Sequence, residues 1–285
     1  MAAFITFRTR KHPYIRYVGM STVHPPSFGE YVRHLRSSTT APGFSPGPPA
    51  ARKPLSREKL AVATGISQSY LTKLEQERNI RPSPEVVDQL ATALEVNGVV
   101  RKHMHDLVAY AQAKPSHSPP SPPPPRPEVT PEERKHIDAL YPNLAGWVDD
   151  AWWVLHGNGE YNRLYRRLDE VGNVLIWFFA IPESRKIMIE WEVEARLTVA
   201  WLRTHMVQRA EDPSFLNLLE ELSEYPDFVT MWRRQEILMG RHTPYMRVRD
   251  LDTGRELTLL ANVYRHPDPT CGIQLYIGSR HEDTD

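Results

Sequence analysis

The sequence has one cysteine, Cys271, among 285 residues. A single thiol closes no internal disulfide, and with no second Cys nearby it starts no zinc-ligand pair, so a reducing, cytoplasmic compartment is the simplest expectation. Long hydrophobic runs are also lacking. The longest purely apolar stretch, Val174 to Ile181, has eight residues, whereas a membrane-spanning helix needs about 20; no membrane partner is expected. Net charge is absent too, because 35 Lys plus Arg balance 35 Asp plus Glu, which at first sight argues against a nucleic-acid partner. The average composition excludes a wholly disordered chain, a collagen and a coiled-coil rod. Catalytic patterns are missing as well. There is no Walker sequence and no glycine-rich dinucleotide loop after a strand. His103 and His105 stand two apart, as do Glu190, Glu192 and Glu194, so on a helix neighbours face different directions and share no metal as an i, i+4 pair does. Neither an enzyme activity nor a metal or cofactor is expected.

Counted by region, the neutrality is a cancellation. Residues 1–111 hold 15 Lys plus Arg and 8 Asp plus Glu, a balance of plus seven, while residues 112–285 hold 20 and 27, a balance of minus seven. Between them, nine of the eighteen residues from Lys114 to Pro131 are proline. Each lacks an N–H and fixes its own φ, so this stretch is read as an extended interdomain spacer. The resulting division is a basic, acid-free extension over 1–27, expected to be disordered, a first domain over 28–111, a linker over 112–131 and a second domain over 132–285.

The first domain reads as five helices. Phe28 to Arg36 carries apolar residues at helical spacing, and five prolines with two glycines forbid regular structure over Ser37 to Pro54. Ser56 can cap a helix that ends at Gly65, and Ser67 can cap the next, with Tyr70, Leu71 and Leu74 on one face. Two short helices about a glycine turn make a helix-turn-helix. Ser83-Pro84 opens a fourth helix, and Val99 to Ala111 offers a fifth.

The string Leu60-Ala61, Gly65-Ile66-Ser67-Gln68-Ser69-Tyr70-Leu71-Thr72-Lys73-Leu74-Glu75, Pro82-Ser83 and Leu90-Ala91-Thr92-Ala93-Leu94 closely resembles the lambda-repressor and Cro-like family, also called the xenobiotic-response-element family. The amino-terminal turn of a recognition helix enters the major groove, which makes Gln68, Ser69, Thr72 and Lys73 the candidates for base edges, with Ser67 at the helix start. Gln pairs bidentately with adenine and Lys donates to guanine. Arg57 matches a phosphate-contacting position of the family, and Arg52, Lys53, Arg78 and Arg81 flank the pair as further phosphate contacts; a plain solvated surface is the competing reading for each. Glu75 matches a structural glutamate and takes no direct DNA role. Glu77 departs from the family, which often has glycine there, and Asn79 is expected to take the left-handed backbone instead.

The second domain reads as α+β. Thr130-Pro131-Glu132-Glu133 is a capping box. All seven tryptophans fall between 147 and 232. A hairpin is expected over Asn143 to Leu155, a helical stretch from Asn158 to Leu168, one long helix from Ile187 to Met206, and helices over Phe215 to Leu222 and Asp227 to Gln235. Strands are expected over Tyr245 to Val248, Glu256 to Tyr264 and Gly272 to Gly278. The residues Gly172-Asn173-Val174-Leu175-Ile176-Trp177-Phe178-Phe179, Glu190 to Arg196, Leu202-Arg203, Asp212-Pro213, Glu221-Leu222-Ser223, Pro226-Asp227-Phe228 and Trp232 resemble the MmyB-like ligand-binding domain, which follows a repressor-like helix-turn-helix in many actinobacterial regulators. The resemblance implies a PAS-like antiparallel sheet, with helices around a cavity suited to fatty-acid-like molecules. Trp177, Phe178, Trp191, Trp201, Phe228 and Trp232 are then candidate wall residues. Arg196 and Arg203, seven apart on one helical face, are candidates to clasp a carboxylate. Against this stand ordinary core packing for the aromatics and, for Arg196, an ion pair with Glu192.

The fold expected is therefore multidomain: an all-α five-helix repressor-like head followed by an α+β PAS-like domain. The function expected is sequence-specific binding of double-stranded DNA by a homodimer, controlled by a small apolar or fatty-acid-like ligand. The alternative is a constitutive DNA-binding protein whose second domain is a ligand-free dimerisation or docking scaffold.

Overall fold

The computed structural model describes residues 23–78, 81–112, 127–266 and 272–281. Cys271, Asn79, most of the proline-rich spacer and the first 22 residues lie outside the described residues.

The first domain is built from α1 (Phe28–Ser37), α2 (Arg57–Thr64), α3 (Gln68–Glu75), α4 (Pro84–Ala93) and α5 (Gly98–Gln112). Its capping chemistry follows the sequence. The Ser56, Ser67 and Ser83 hydroxyls accept from the backbone N–H groups of Lys59, Tyr70 and Val86, and Gly65 ends α2 at φ 66°, a conformation that costs glycine nothing. Leu60, Leu71, Leu90, Leu94 and Met104 are fully enclosed between the helices. The proline-rich loop before α2 is closed on itself by an isolated bridge between Thr40 and Ala51.

The second domain opens with α6 (Pro131–Asp138), whose Thr130 and Glu133 form both arms of the capping box. Val129, just before it, is buried against Ile137, Ala145, Trp147 and Ile273. A hairpin of β1 (Leu144–Asp149) and β2 (Val154–Gly157) leads into short helices α7 (Gly159–Leu164), α8 (Leu168–Val171), α9 (Val174–Ala180) and α10 (Pro182–Ile187). Then follow α11 (Trp191–Met206), α12 (Pro213–Leu222) and α13 (Pro226–Arg233), and the chain closes through β3 (Tyr245–Arg249), β4 (Glu256–Arg265) and β5 (Ile273–His281). The five strands form one antiparallel sheet in the order β2-β1-β5-β4-β3, so the first and last strands of the domain are neighbours at its centre. Gly146 and Gly157 face each other across the β1–β2 register, and a side chain at Gly157 would meet the Tyr161 ring at 2.5 Å. The paired glycines let that ring lie directly on the sheet.

Three expectations are corrected. The stretch Ile187 to Met206 is not one helix: Met188 bridges to Val248 and the Ile189 N–H donates to the Arg247 carbonyl at 3.2 Å. The chain there follows the sheet edge before α11 begins. The helical stretch after Asn158 is likewise broken, at Arg167, whose φ is 64°. Order also starts before Phe28, since Val23 packs on the second core and the His24 carbonyl accepts from Trp232 Nε1 at 3.2 Å. The two domains are pressed together, because Val207 and Ile237 of the second complete the core of the first. No helix among the described residues is long and apolar enough to cross a membrane.

Candidate nucleic-acid interface and ligand pocket

The helix-turn-helix presents α3 to solvent. Gln68, Ser69 and Lys73 are exposed on it and Thr72 is half-buried; with Gln76 and Arg78 they line one shallow concavity. Four of the residues named for base edges thus share a face with Arg78, and Gln76 joins them without having been singled out. Ser67 is spent as the helix cap, and Thr72 Oγ1 donates to the Gln68 carbonyl at 2.8 Å, which leaves its lone pairs outward. Arg57 is a part of the framework: its Nε donates to Glu75 Oε2 at 2.7 Å while 37% of the side chain stays exposed. Arg36 holds the other oxygen of Glu75 at 2.6 Å. Burial alone would raise the Glu75 pKa, but the hydrogen bonds from Arg36 and Arg57 outweigh it and hold the carboxyl below its usual range. Lys53 and Arg81 are exposed. Arg52 donates to the Leu94 carbonyl at 3.2 Å and so leans on the end of α4. Glu77, after α3, takes the left-handed backbone itself at φ 56°, while Asn79 lies outside the described residues.

In the second domain a cavity of about 110 Å³ lies between the sheet and the helices. Its wall is aromatic, with Trp152, Tyr161, Tyr165, Trp177, Phe178 and Trp201 contributing. Trp152 meets Trp201 edge-on with centroids 6.0 Å apart, and Tyr165 meets Trp177 likewise at 5.7 Å. Polar groups enter at a few points. Glu194 from α11 and Arg241 from the loop before β3 form a bidentate pair at 2.6 and 2.8 Å. The Tyr165 and Tyr276 hydroxyls share a hydrogen bond of 2.8 Å, and Thr198 and Gln274 complete the polar set.

Of the residues named from sequence, Trp177, Phe178 and Trp201 line this cavity and five others do not. Trp191 donates from Nε1 to the Phe178 carbonyl at 3.2 Å and carries Arg185 over its ring. Phe228 is fully buried and stacks on Trp232. Arg196 and Arg203 do share a helical face, but that face meets the first domain. Arg196 pairs with Glu236 and donates to the Ser45 carbonyl at 2.8 Å, while Glu192 pairs with Arg234 instead. Arg203 donates to the Trp232 carbonyl and lies 4.0 Å over that ring. Neither arginine is placed to clasp a ligand carboxylate in the cavity. Glu194 and Arg241 went unnoticed because 47 residues separate them, and no local spacing announces such a pair. The readable signal was weaker: Glu194, Leu197, Thr198 and Trp201 fall at i, i+3, i+4 and i+7, one face of a helix.

Comparison with known families bears on both sites. Residues 129–277 match a family model described as the MmyB-like transcription regulator ligand binding domain, and residues 27–104 match one described as a helix-turn-helix domain. No curated protein gives a significant match to the chain.

Proposed function

Since the chain belongs to the family of MmyB-like transcription regulator ligand binding domains and carries a helix-turn-helix domain ahead of it, it is a DNA-binding transcription regulator, and we propose that a small apolar molecule in the aromatic cavity controls its DNA head. The observation that carries this reading is the double duty of α11. Glu194, Leu197, Thr198 and Trp201 turn one face of the helix to the cavity. Arg196, Arg203 and Val207, on the opposite side and just beyond its end, contact the first domain or its surroundings. A ligand that shifts α11 by a fraction of its diameter must therefore disturb the seat of the head, and differential contacts of this kind are what a ligand needs to shift a conformational equilibrium.

Within the head, Gln68 is the foremost base reader and Lys73 the second, with Arg57, Arg78, Arg81, Lys53 and Arg52 available to phosphates. One head offers the groove a single eight-residue helix, so we infer that two copies read two half-sites about one helical turn apart. Native mass spectrometry of the full chain on its operator is expected to show a dimer, and a monomer alone would overturn that part.

The coupling is tested by Leu197→Trp, which fills the cavity from α11. With an operator selected from random duplexes, the variant is expected to change DNA affinity by threefold or more. Unchanged affinity in a variant that melts like the parent would overturn the ligand-control reading.

A further inference from the structure

Resting on the reading of the cavity as a ligand site, we propose that its ligand is a compact, uncharged aromatic molecule bearing a hydroxyl, carbonyl or amide group, and neither a carboxylate nor an amine.

The charges on the wall are already spent on each other. Both oxygens of Glu194 are held by Arg241, through Nη1 at 2.8 Å and Nη2 at 2.6 Å, and the side chains are 5% and 13% exposed. Arg241 also donates from Nε to the Thr243 carbonyl at 3.1 Å and from Nη2 to the Tyr245 carbonyl at 3.3 Å. Of the five N–H donors a guanidinium owns, four are therefore engaged. A carboxylate entering the cavity would meet one free N–H of Arg241, the Glu194 charge beside it and, among the described lining residues, no cation without a partner. Displacing Glu194 would leave a buried carboxylate without a partner, a far larger loss than one new ion pair returns. An incoming ammonium faces the mirror problem, because the Glu194 charge is already matched by Arg241, whose own positive charge would lie beside the newcomer.

Uncharged polar groups, by contrast, find partners. The Tyr165–Tyr276 pair owns two hydroxyl protons and spends one between the rings, which leaves one to donate. Burial raises both pKa values, that of Tyr276 to about 12, so both remain hydroxyls at any physiological pH. Gln274 uses one N–H on Asp150 Oδ1 at 3.3 Å, and its amide oxygen makes no hydrogen bond among the described residues. Thr198 donates to the Glu194 carbonyl at 2.7 Å and keeps lone pairs to accept. Size fixes the rest of the ligand. A cavity of about 110 Å³ is smaller than the apolar cavity of about 150 Å³ that takes up benzene, so it has room for no more than one ring, and the surrounding Trp and Tyr edges favour an aromatic one.

The test compares benzyl alcohol, benzoate and benzylamine, which share a ring and differ in charge, titrated into the full chain at pH 7.5. The readout is the tryptophan fluorescence of the chain, in which three of the seven tryptophans, Trp152, Trp177 and Trp201, line the cavity. Benzyl alcohol is expected to bind at least tenfold more tightly than either charged probe. In Glu194→Gln, which frees Arg241, the order of benzyl alcohol and benzoate is expected to reverse. Should that variant not fold, benzylamine against the unaltered chain is the deciding second measurement. Tighter binding of benzoate or benzylamine to the unaltered chain would overturn this inference and leave the cavity reading standing, whereas no response to any of the three would overturn the cavity reading itself.

Discussion

Glu75 ties three helices of the DNA head with one side chain: it sits at the end of α3 and accepts from Arg36 of α1 and Arg57 of α2. Glu75→Gln removes the charge and leaves Arg36, itself 12% exposed, without its counterion. Breaking a buried pair from one side costs about 3 kcal/mol or more, so the urea midpoint of the variant is expected to fall clearly below that of the parent. The parent also depends on the ionised carboxylate. Its folded pKa is depressed, so this stabilisation is in place above the ordinary carboxylate pKa of 4.5 and fades as pH drops below it. A variant melting like the parent at pH 7 would remove Glu75 from the framework. Gln68 makes a different test, because it is exposed at the first turn of α3 and supports nothing else. Gln68→Ala is expected to leave the melting temperature alone and weaken operator binding by about tenfold, the scale of one bidentate base contact. Equal loss on scrambled DNA would make it a phosphate contact instead. The caps Ser56, Ser67 and Ser83 were legible in the sequence because capping is a local interaction. Arg36 lies 39 residues from Glu75, and such a partnership exists only once the helices have packed.

At the scale of elements, the same division between local and distant causes holds. The capping box at α6 was readable from four consecutive residues, and both of its arms form, with Thr130 N–H to Glu133 at 2.7 Å and Glu133 N–H to Thr130 at 3.2 Å. Thr130→Ala is expected to lower stability by about 1 kcal/mol, seen as a smaller urea midpoint with an unchanged slope; no change would mean that Val129 alone anchors this end. The break before α11 was not readable, since apolar spacing runs through Ile187 to Met206 without a glycine or proline to interrupt it. What ends the helix there is the sheet, which takes the backbone of Met188 and Ile189 into contact with β3. The direction of the Arg196–Arg203 face was lost for the same reason. Spacing says which side chains share a face, and only the neighbouring domain says what that face meets.

For the whole molecule, the split of charge into a basic and an acidic half holds as arithmetic but overstates the head. Arg8, Arg10, Lys11 and Arg16 supply four of its seven excess charges, and they lie outside the described residues. The groups that join the halves matter more. Arg203 is fully buried where α11 meets the head, and burial lowers its pKa only to about 10, so it stays charged. Facing it from the head, Tyr31 Oη and both ring nitrogens of His103 are buried with no hydrogen-bond partner among the described residues, and the His103 ring stands edge-on to Tyr31 with centroids 5.0 Å apart. Burial, then the charges of Arg203 and Lys102, drives the His103 pKa to about 3; burial, Arg203 and Arg52 drive that of His34 to about 4. Both imidazoles are thus neutral in the folded chain, while the unfolded chain takes up their protons near pH 6.5. The unfolded state binds more protons at these two groups between those limits, so their contribution to stability is constant above about pH 7 and is lost as pH drops from about 6.5 to 4. Melting followed by circular dichroism is expected to give a lower midpoint at pH 5.5 than at pH 7.5. Glu75, with its pKa depressed, is ionised at both values and does not contribute to the gap. His103→Leu deletes one of these proton acceptors, His34 and His205 being others whose pKa burial lowers, so it is expected to narrow the gap between the two midpoints. A gap as wide as that of the parent would remove His103 from the proton balance of the domain junction.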